Sequence, residues 1–211
     1  MTETINLQGQ AALITGASSG LGAHFATVLA EQGATVVLAA RRLEKLDALK
    51  AEIEARGGNA LAVTMDVTSA TSVTAAFEAI ANQLSSPCSI VINNSGVGQE
   101  SWFVDTTEEE WANIIDTNLT GVWRVAKHAG KRLMDAGQAG SIINIASITA
   151  QRPAYMVSGY AASKAAVEQL TRNMALEFAR SKIRVNAIAP GYFSTSINDS
   201  FLSSEAGERM R

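Results

Sequence analysis

"TGASSGLG" (residues 15–22) places glycines at 16, 20 and 22, closing the apolar run "AALITG" (11–16) and opening a segment with helical spacing. Strand, glycine turn and helix in that order make the phosphate-cradling corner of a dinucleotide-binding sheet. The spacing is GxxxGxG rather than GxGxxG, but the same mechanism is expected of it. Gly16 allows the tight turn, Gly20 lets the backbone approach a pyrophosphate, and Gly22 lets the helix pack on the strand. The first helical turn, which includes Leu21, offers unpaired N–H groups and a partial positive charge. Ser18 and Ser19 add hydroxyl donors. The alternative is an ordinary glycine-rich turn between a strand and a helix.

Working outward, five more short runs resemble the first: "ATVVLAA" (34–40), "ALAVTMD" (60–66), "SIVINNSG" (89–96), "SIINIAS" (141–147) and "IRVNAIAPG" (183–191). They are almost continuously apolar and rich in Val and Ile, as strands buried on both faces are. Between them lie helical stripes: Leu21, Phe25, Val28 and Leu29; Leu43, Leu46, Leu49, Lys50 and Ile53; Val73, Phe77 and Ile80; Trp111, Ile114, Ile115, Leu119 and Val122; and Val167, Leu170, Met174 and Phe178. Alternation of strand and helix predicts an α/β protein, a doubly wound parallel sheet of the Rossmann type, as a single domain over 1–211.

The 211 residues suit one domain, and 47% hydrophobic composition supplies a large core. Net charge is -3, with seventeen basic residues scattered among twenty acidic ones, so nucleic acid is not expected as a partner. A single cysteine, Cys88, excludes an internal disulfide framework. The start "MTETINLQGQ" lacks a basic region followed by an apolar one, and no apolar stretch has membrane-spanning length. A cytoplasmic protein without a membrane partner is expected. His24 and His128 lie in helical runs away from acidic clusters, and no metal-ligand spacing appears.

Ligands of such sheets bind at the carboxyl ends of the strands. The unusual residues cluster there: Gly16 to Gly22, Arg41, Asp66, Asn93 to Gly96, Ser147, and Pro190-Gly191. Each alone is ordinary turn chemistry; six in register suggest a long ligand across the sheet edge. The second strand ends in "LAARRLEKL", where a carboxylate would hold the 2′-hydroxyl of NAD and an arginine the 2′-phosphate of NADP. Arg41 and Arg42 favour NADP over NAD. The alternative is that they only cap and solubilise the next helix.

In "GYAASKAAVEQL" (159–170), Tyr160 and Lys164 are four apart and share a helix face. With this pair the chain resembles the short-chain dehydrogenase/reductase family. The matching motifs are "TGASSGLG" (15–22), "MDV" (65–67), "NNSG" (93–96), the Asn of "DTNLTG" (116–121), the Ser of "INIAS" (143–147), "YAASK" (160–164) and "PGYFST" (190–195), in family order over essentially the whole chain.

The resemblance implies an NADP(H)-dependent oxidoreductase. It would transfer a hydride between nicotinamide and a ketone or secondary alcohol, such as a 3-oxoacyl thioester or another apolar ketone, with simple, cyclic and sugar-derived ketones also among the candidates. Tyr160 would be the general acid, or the base in oxidation, with Lys164 lowering its pKa and binding the nicotinamide ribose. Ser147, thirteen residues before Tyr160, would orient the substrate oxygen. Asn118 would hold a water toward Lys164, or else be a satisfied buried amide. Asp66 would accept from the adenine amino group beside the Val67 backbone. Asn94, followed by Gly96, would lie along the adenosine ribose, and Asn93 would tie strands together. The Phe193 backbone and Thr195 would hold the carboxamide.

"NNSG" departs from the commoner NNAG without threatening any of these roles. Trp102, Phe103, Tyr155, Met156 and Tyr192 would line an apolar pocket or belong to plain core. The resemblance also implies a homodimer or homotetramer built on helices starting near Glu108 and Tyr155. The family pattern continues through a further helix and a seventh strand, so the C-terminal lid and last strand are expected to be absent from this chain. The rival expectations are a catalytically inactive dinucleotide-binding sensor or scaffold, and a fragment that folds poorly.

Overall fold

The computed structural model describes residues 5–193. Six parallel strands form one sheet in the order β3-β2-β1-β4-β5-β6: β1 (Ala11–Thr15), β2 (Thr35–Ala40), β3 (Asn59–Thr64), β4 (Ile90–Asn93), β5 (Gly140–Ile145) and β6 (Ile183–Ile188). Each coincides with one of the six apolar runs. The order reverses between β1 and β4, so the carboxyl ends of those two strands diverge into a crevice.

Side chains alternate across the sheet. Ile14, Val36, Leu38, Ile92 and Ile145 face α1 (Gly20–Glu31) and α2 (Leu43–Ala55). Leu13, Val37, Val91 and Ile142 face α3 (Ala70–Ala81), α5 (Gly121–Asp135) and α6 (Ser158–Phe178). Helix α4 (Glu108–Ile115) is capped by Thr107, whose hydroxyl accepts from the Glu110 N–H at 3.1 Å. Its first turn carries Glu108, Glu109 and Glu110, which suit the positive helix end.

Several expectations need correction. In α1 the buried positions are Gly22, Ala26 and Ala30, while Val28 is exposed. Small residues seat this helix close to the sheet, so the larger side chains are pushed to its flanks. Leu43 and Trp111 are also exposed, each lying at the first turns of its helix, beyond the sheet. The fourth stripe is not one α-helix: α4 and α5 are joined by a π-helical turn, Asp116–Thr120, which shifts the face between Ile114 and Val122. Helix α6 begins at Ser158 rather than near Tyr155. Strand β6 is at the sheet edge, and only Ile183 and Val185 of it are buried.

Candidate active site

The glycine turn has the backbone its sequence requires. Gly16 and Gly20 have φ of +67° and +56°, a region favouring glycine. Gly22 sits against the turn itself, where an added Cβ would strike the Gly16 carbonyl and the Asn94 side chain. The packing that excludes a side chain at 22 is thus helix against turn, rather than helix against strand. At the start of α1, Ser19 is extended and makes no side-chain cap, and the first turn holds no acidic residue. An anion meets open N–H groups there.

Asn94 braces this turn. Its Nδ2 donates to the Thr15 carbonyl at 3.0 Å and the Gly16 carbonyl at 3.4 Å. Thr15, the first residue of the glycine motif and one given no role from the sequence, accepts on its hydroxyl from the Asn94 and Ser95 N–H groups, both at 3.0 Å. Asn93 donates to Asn144 Oδ1 at 2.9 Å and so ties β4 to β5, as expected. Asn144 in turn donates to Thr171 on α6 at 2.8 Å.

At the second strand's end, Arg42 donates to the Ser18 hydroxyl at 2.9 Å and Arg41 is exposed beside it. Asp66 accepts from the Thr68 N–H at 3.0 Å and the Thr68 hydroxyl at 2.7 Å on one oxygen, leaving the other oxygen available. Partial burial works against its charge, but the Thr68 hydrogen bonds, with Arg41 and Arg124, hold the carboxyl below its ordinary value. Arg124 was not anticipated. It donates to the Val67 carbonyl at 3.0 Å and pairs with Asp116 at 2.8 Å, fixing the loop that carries Asp66.

Ser147 closes the end of β5. Its hydroxyl accepts from the Thr149 N–H at 3.2 Å and the Thr149 hydroxyl at 2.9 Å, which leaves its own proton to donate. Tyr160 lies on the first turn of α6 and Lys164 one turn on, with Lys164 Nζ 5.6 Å from the phenol ring centre. Lys164 is 3% exposed and donates to the Ile145 carbonyl at 2.7 Å. Burial lowers its pKa to about 8.

The expectation that Lys164 lowers the Tyr160 pKa is not met in this structure. Burial raises the phenol above its ordinary value; the Ser147 hydroxyl works downward and Tyr192 upward. The ammonium is turned to the Ile145 carbonyl, and the desolvation that weakens its own charge also disfavours a phenolate.

Asn118 is fully buried. Its Oδ1 accepts from the Val97 N–H at 2.8 Å, and its Nδ2 donates to the Val97 carbonyl at 3.0 Å and to Ser163 at 3.2 Å. Both amide hydrogens are therefore engaged, which is the satisfied-amide alternative; one lone pair of Oδ1 remains. A Cβ added at Gly96 would lie 3.3 Å from that oxygen and 3.6 Å from Lys164 Nζ, so the missing side chain keeps the space between them open.

These groups share one cleft of about 400 Å³. Gly16, Ser18, Ser19, Gly20 and Leu21 line one end with Arg41 and Arg42; Asp66, Val67, Asn94 and Gly96 follow; Ser147, Tyr160, Lys164 and Phe193 line the remainder. Gly22 and Asn118 support it from behind. Thr195 lies outside the described residues. Trp102, Phe103, Tyr155 and Tyr192 are exposed rather than core, and Trp102 and Tyr155 lie 6.0 Å apart, ring centre to ring centre.

Residues 10–206 match the short chain dehydrogenase family. The chain belongs to that family. It is an oxidoreductase of the short-chain dehydrogenase type, acting on CH–OH groups. It is 34% identical over 206 residues to the 5-keto-D-gluconate 5-reductase of Escherichia coli K12, covering 98% of this chain and 80% of that one. To a 3-oxoacyl-[acyl-carrier-protein] reductase of Pseudomonas aeruginosa it is 36% identical over 193 residues, 92% of this chain and 77% of that one. The crystal structure of a gluconate 5-dehydrogenase from Burkholderia cenocepacia in complex with NADP and tartrate superposes with a TM-score of 0.91 at 32% identity, covering 96% and 79% of the two chains.

Against the other short-chain dehydrogenase motifs, Gln99 stands apart. It is 6% exposed, and its Oε1 accepts from the N–H groups of Gly159 at 2.7 Å and Tyr160 at 3.1 Å. No local signal finds it, because the backbone groups its oxygen accepts from lie about 60 residues away. Cys88 is buried, and burial pushes its thiol up to about 12, which leaves it unreactive. His128 stacks on Phe77 at 5.3 Å. Among the described residues no helix is long and apolar enough to cross a membrane, and no cluster of metal-ligating side chains occurs.

Proposed function

We propose that this chain, as one dinucleotide-binding and catalytic domain, uses NADP(H) to interconvert an apolar ketone and its secondary alcohol. A 3-oxoacyl thioester is the leading class. The observation that carries the reading is the single cleft with an open helix N-terminus and two arginines at one end and Ser147, Tyr160 and Lys164 in its wall.

The residues fit a dinucleotide. The glycine turn at Gly16 and Gly20, the uncapped α1 terminus and the available Asp66 oxygen suit a pyrophosphate followed by adenine. Arg41 and Arg42 would hold a 2′-phosphate, Lys164 the nicotinamide ribose, and the Phe193 backbone with Thr195 the carboxamide. The nicotinamide, when bound, supplies or receives the hydride.

Ser147, whose hydroxyl hydrogen-bonds the Tyr160 phenol in the cofactor-free site, would donate to the substrate oxygen and set its direction. Tyr160 donates its phenolic proton to the same oxygen during reduction. The phenol holds that proton at neutral pH, and burial in the cofactor-free site raises its pKa further. Gly96 leaves room for a water between Asn118 Oδ1 and Lys164, through which the phenol would be reprotonated.

The cations lining the cleft are Arg41, Arg42 and Lys164. Among the described residues these are the cleft's only cations, and each is assigned to the dinucleotide rather than to a sugar-acid carboxylate, which supports an apolar ketone. The test is NADPH oxidation with acetoacetyl-CoA and with 5-keto-D-gluconate. Turnover of the first and not the second is expected; turnover of the second alone overturns the substrate class. We place the enzyme in the cytoplasm as a homodimer or homotetramer. Ala162, Ala165 and Leu176 form an exposed stripe on α6, and Trp111 and Trp123 are exposed on α4 and α5.

A further inference from the structure

The first turn of α6 carries Tyr160, yet its N-cap position is Val157, whose side chain accepts nothing. The orphan N–H groups of that turn must be satisfied from elsewhere. Gln99 does this with one oxygen, at 2.7 Å from Gly159 N and 3.1 Å from Tyr160 N. Gly159 has no Cβ, and one placed there would lie 3.0 Å from that oxygen and 3.2 Å from the Trp111 ring. The other half of the amide is equally committed. Nε2 donates to the Ser101 and Thr106 hydroxyls, both at 3.0 Å. Ser101 passes its own proton to Glu110 at 2.8 Å, and Thr106 donates to the Trp102 carbonyl at 3.0 Å. Every donor and acceptor direction is fixed by the next, so the amide has one orientation.

We propose that Gln99 is a positioning residue that joins the loop 101–106, which carries the exposed Trp102 and Phe103, to the backbone of Tyr160. One end of the amide sets where the phenol stands; the other holds the loop whose Trp102 lies beside Tyr155, five residues before the phenol. Substrate contact on the loop is thereby transmitted to the proton donor through a single buried side chain. The proposal rests on the reading of Tyr160 as that donor.

Two substitutions separate the two ends. Gln99→Leu removes both. Gln99→Glu keeps an oxygen for the Gly159 and Tyr160 N–H groups, favoured by the helix terminus, but as a carboxylate has no hydrogens for Ser101 and Thr106. Ser101→Ala weakens the loop end alone. The readouts are kcat and KM for a ketone that the wild type reduces, NADPH affinity, and amide exchange at Gly159 and Tyr160 by NMR. Gln99→Leu is expected to expose both amides to exchange and to lower kcat about tenfold to a hundredfold, the cost of a small misplacement at a reacting group, with NADPH affinity within about twofold of wild type. Gln99→Glu is expected to keep both protection and kcat and to raise KM about fivefold, the worth of a hydrogen bond, with Ser101→Ala moving KM alike.

A folded Gln99→Leu protein with wild-type kcat overturns the proposal, as does a Gln99→Glu protein that loses kcat as severely as Gln99→Leu. Should Gln99→Leu not fold, a shared KM rise in Gln99→Glu and Ser101→Ala supports the proposal, and unchanged KM in both overturns it. Tyr160→Phe in the same assay separates the two levels: if it turns over normally, the reading of the site fails, whatever Gln99 does.

Discussion

Lys164 donates to the Ile145 carbonyl at 2.7 Å, linking the second turn of α6 to the last residue of β5. An ammonium held by one carbonyl and otherwise stripped of water is costly in the cofactor-free protein. Its descent from 10.5 to about 8 corresponds to a penalty on the order of 3 kcal/mol on the charged form.

Lys164→Met is therefore expected to abolish turnover and yet raise the melting temperature of the cofactor-free protein by several degrees at pH 6 to 7. The folded pKa is below the unfolded one, so the wild type carries the full penalty below about pH 8. Between there and the unfolded value the unfolded chain holds a proton that the folded one has lost, and wild-type stability rises with pH. The advantage of the methionine should shrink across that window. Melting curves of both proteins at several pH values check it; a difference independent of pH contradicts the penalty.

Cofactor choice is expected to reside at Ala40 and Arg41. A charge-assisted contact contributes about 1.5–3 kcal/mol, so the wild type should prefer NADP(H) by about tenfold to a hundredfold in kcat/KM. Ala40→Asp with Arg41→Ile should reverse this, since the new carboxylate accepts from a 2′-hydroxyl and repels a phosphate. Arg42, which donates to Ser18 and lines the same end of the cleft, is expected to supply part of the phosphate contact and so to limit the switch. Equal kcat/KM for both cofactors in the wild type would refute the assignment.

Gly96→Ala tests the space beside Lys164. Its methyl group would stand 3.3 Å from Asn118 Oδ1 and 3.6 Å from Lys164 Nζ, where the relaying water is proposed. The expected result is a loss in kcat of about tenfold or more, as proton-transfer assistance is removed, with little change in NADPH affinity. Unchanged kcat would place the relay elsewhere.

The exposed stripe on α6 predicts self-association. Light scattering at micromolar concentration should give a dimer or tetramer, and Ala165→Arg should shift it toward monomer by placing a charge where close helix approach is needed. A monomeric wild type contradicts the assembly.

Much of the fold was legible in the sequence, because the apolar runs from Ala11, Ala34, Ala60, Ser89, Ser141 and Ile183, alternating with helical stripes, read as parallel strands, although those from Ala60 and Ile183 lie at the sheet edges and are only partly buried. Helix faces were less legible. Ala26 and Ala30 lie deepest in α1 because close approach selects small residues, while apolar spacing points to Val28. The π turn at Asp116–Thr120 leaves no mark in the stripe it interrupts.

Spacing picked out Ser147, Tyr160 and Lys164, which the structure brings together in the wall of one cleft, because their positions follow from the end of β5 and one face of α6. The direction of the Tyr160 shift was not legible, because desolvation depends on what surrounds the phenol rather than on its neighbour four residues on. Gln99 and Arg124 were missed for a related reason: each works by reaching a distant backbone, at Gly159 and Tyr160 in one case and at Val67 in the other.

The central claim is that the Tyr160 phenol is the proton donor of a reductase. The most direct test is kcat of Tyr160→Phe for NADPH-dependent ketone reduction, measured beside the NADPH dissociation constant of the same protein. Removal of the phenolic proton should lower kcat by about a hundredfold to ten-thousandfold while the dissociation constant stays within about twofold of wild type. A Tyr160→Phe protein that turns over at close to the wild-type rate would contradict the account.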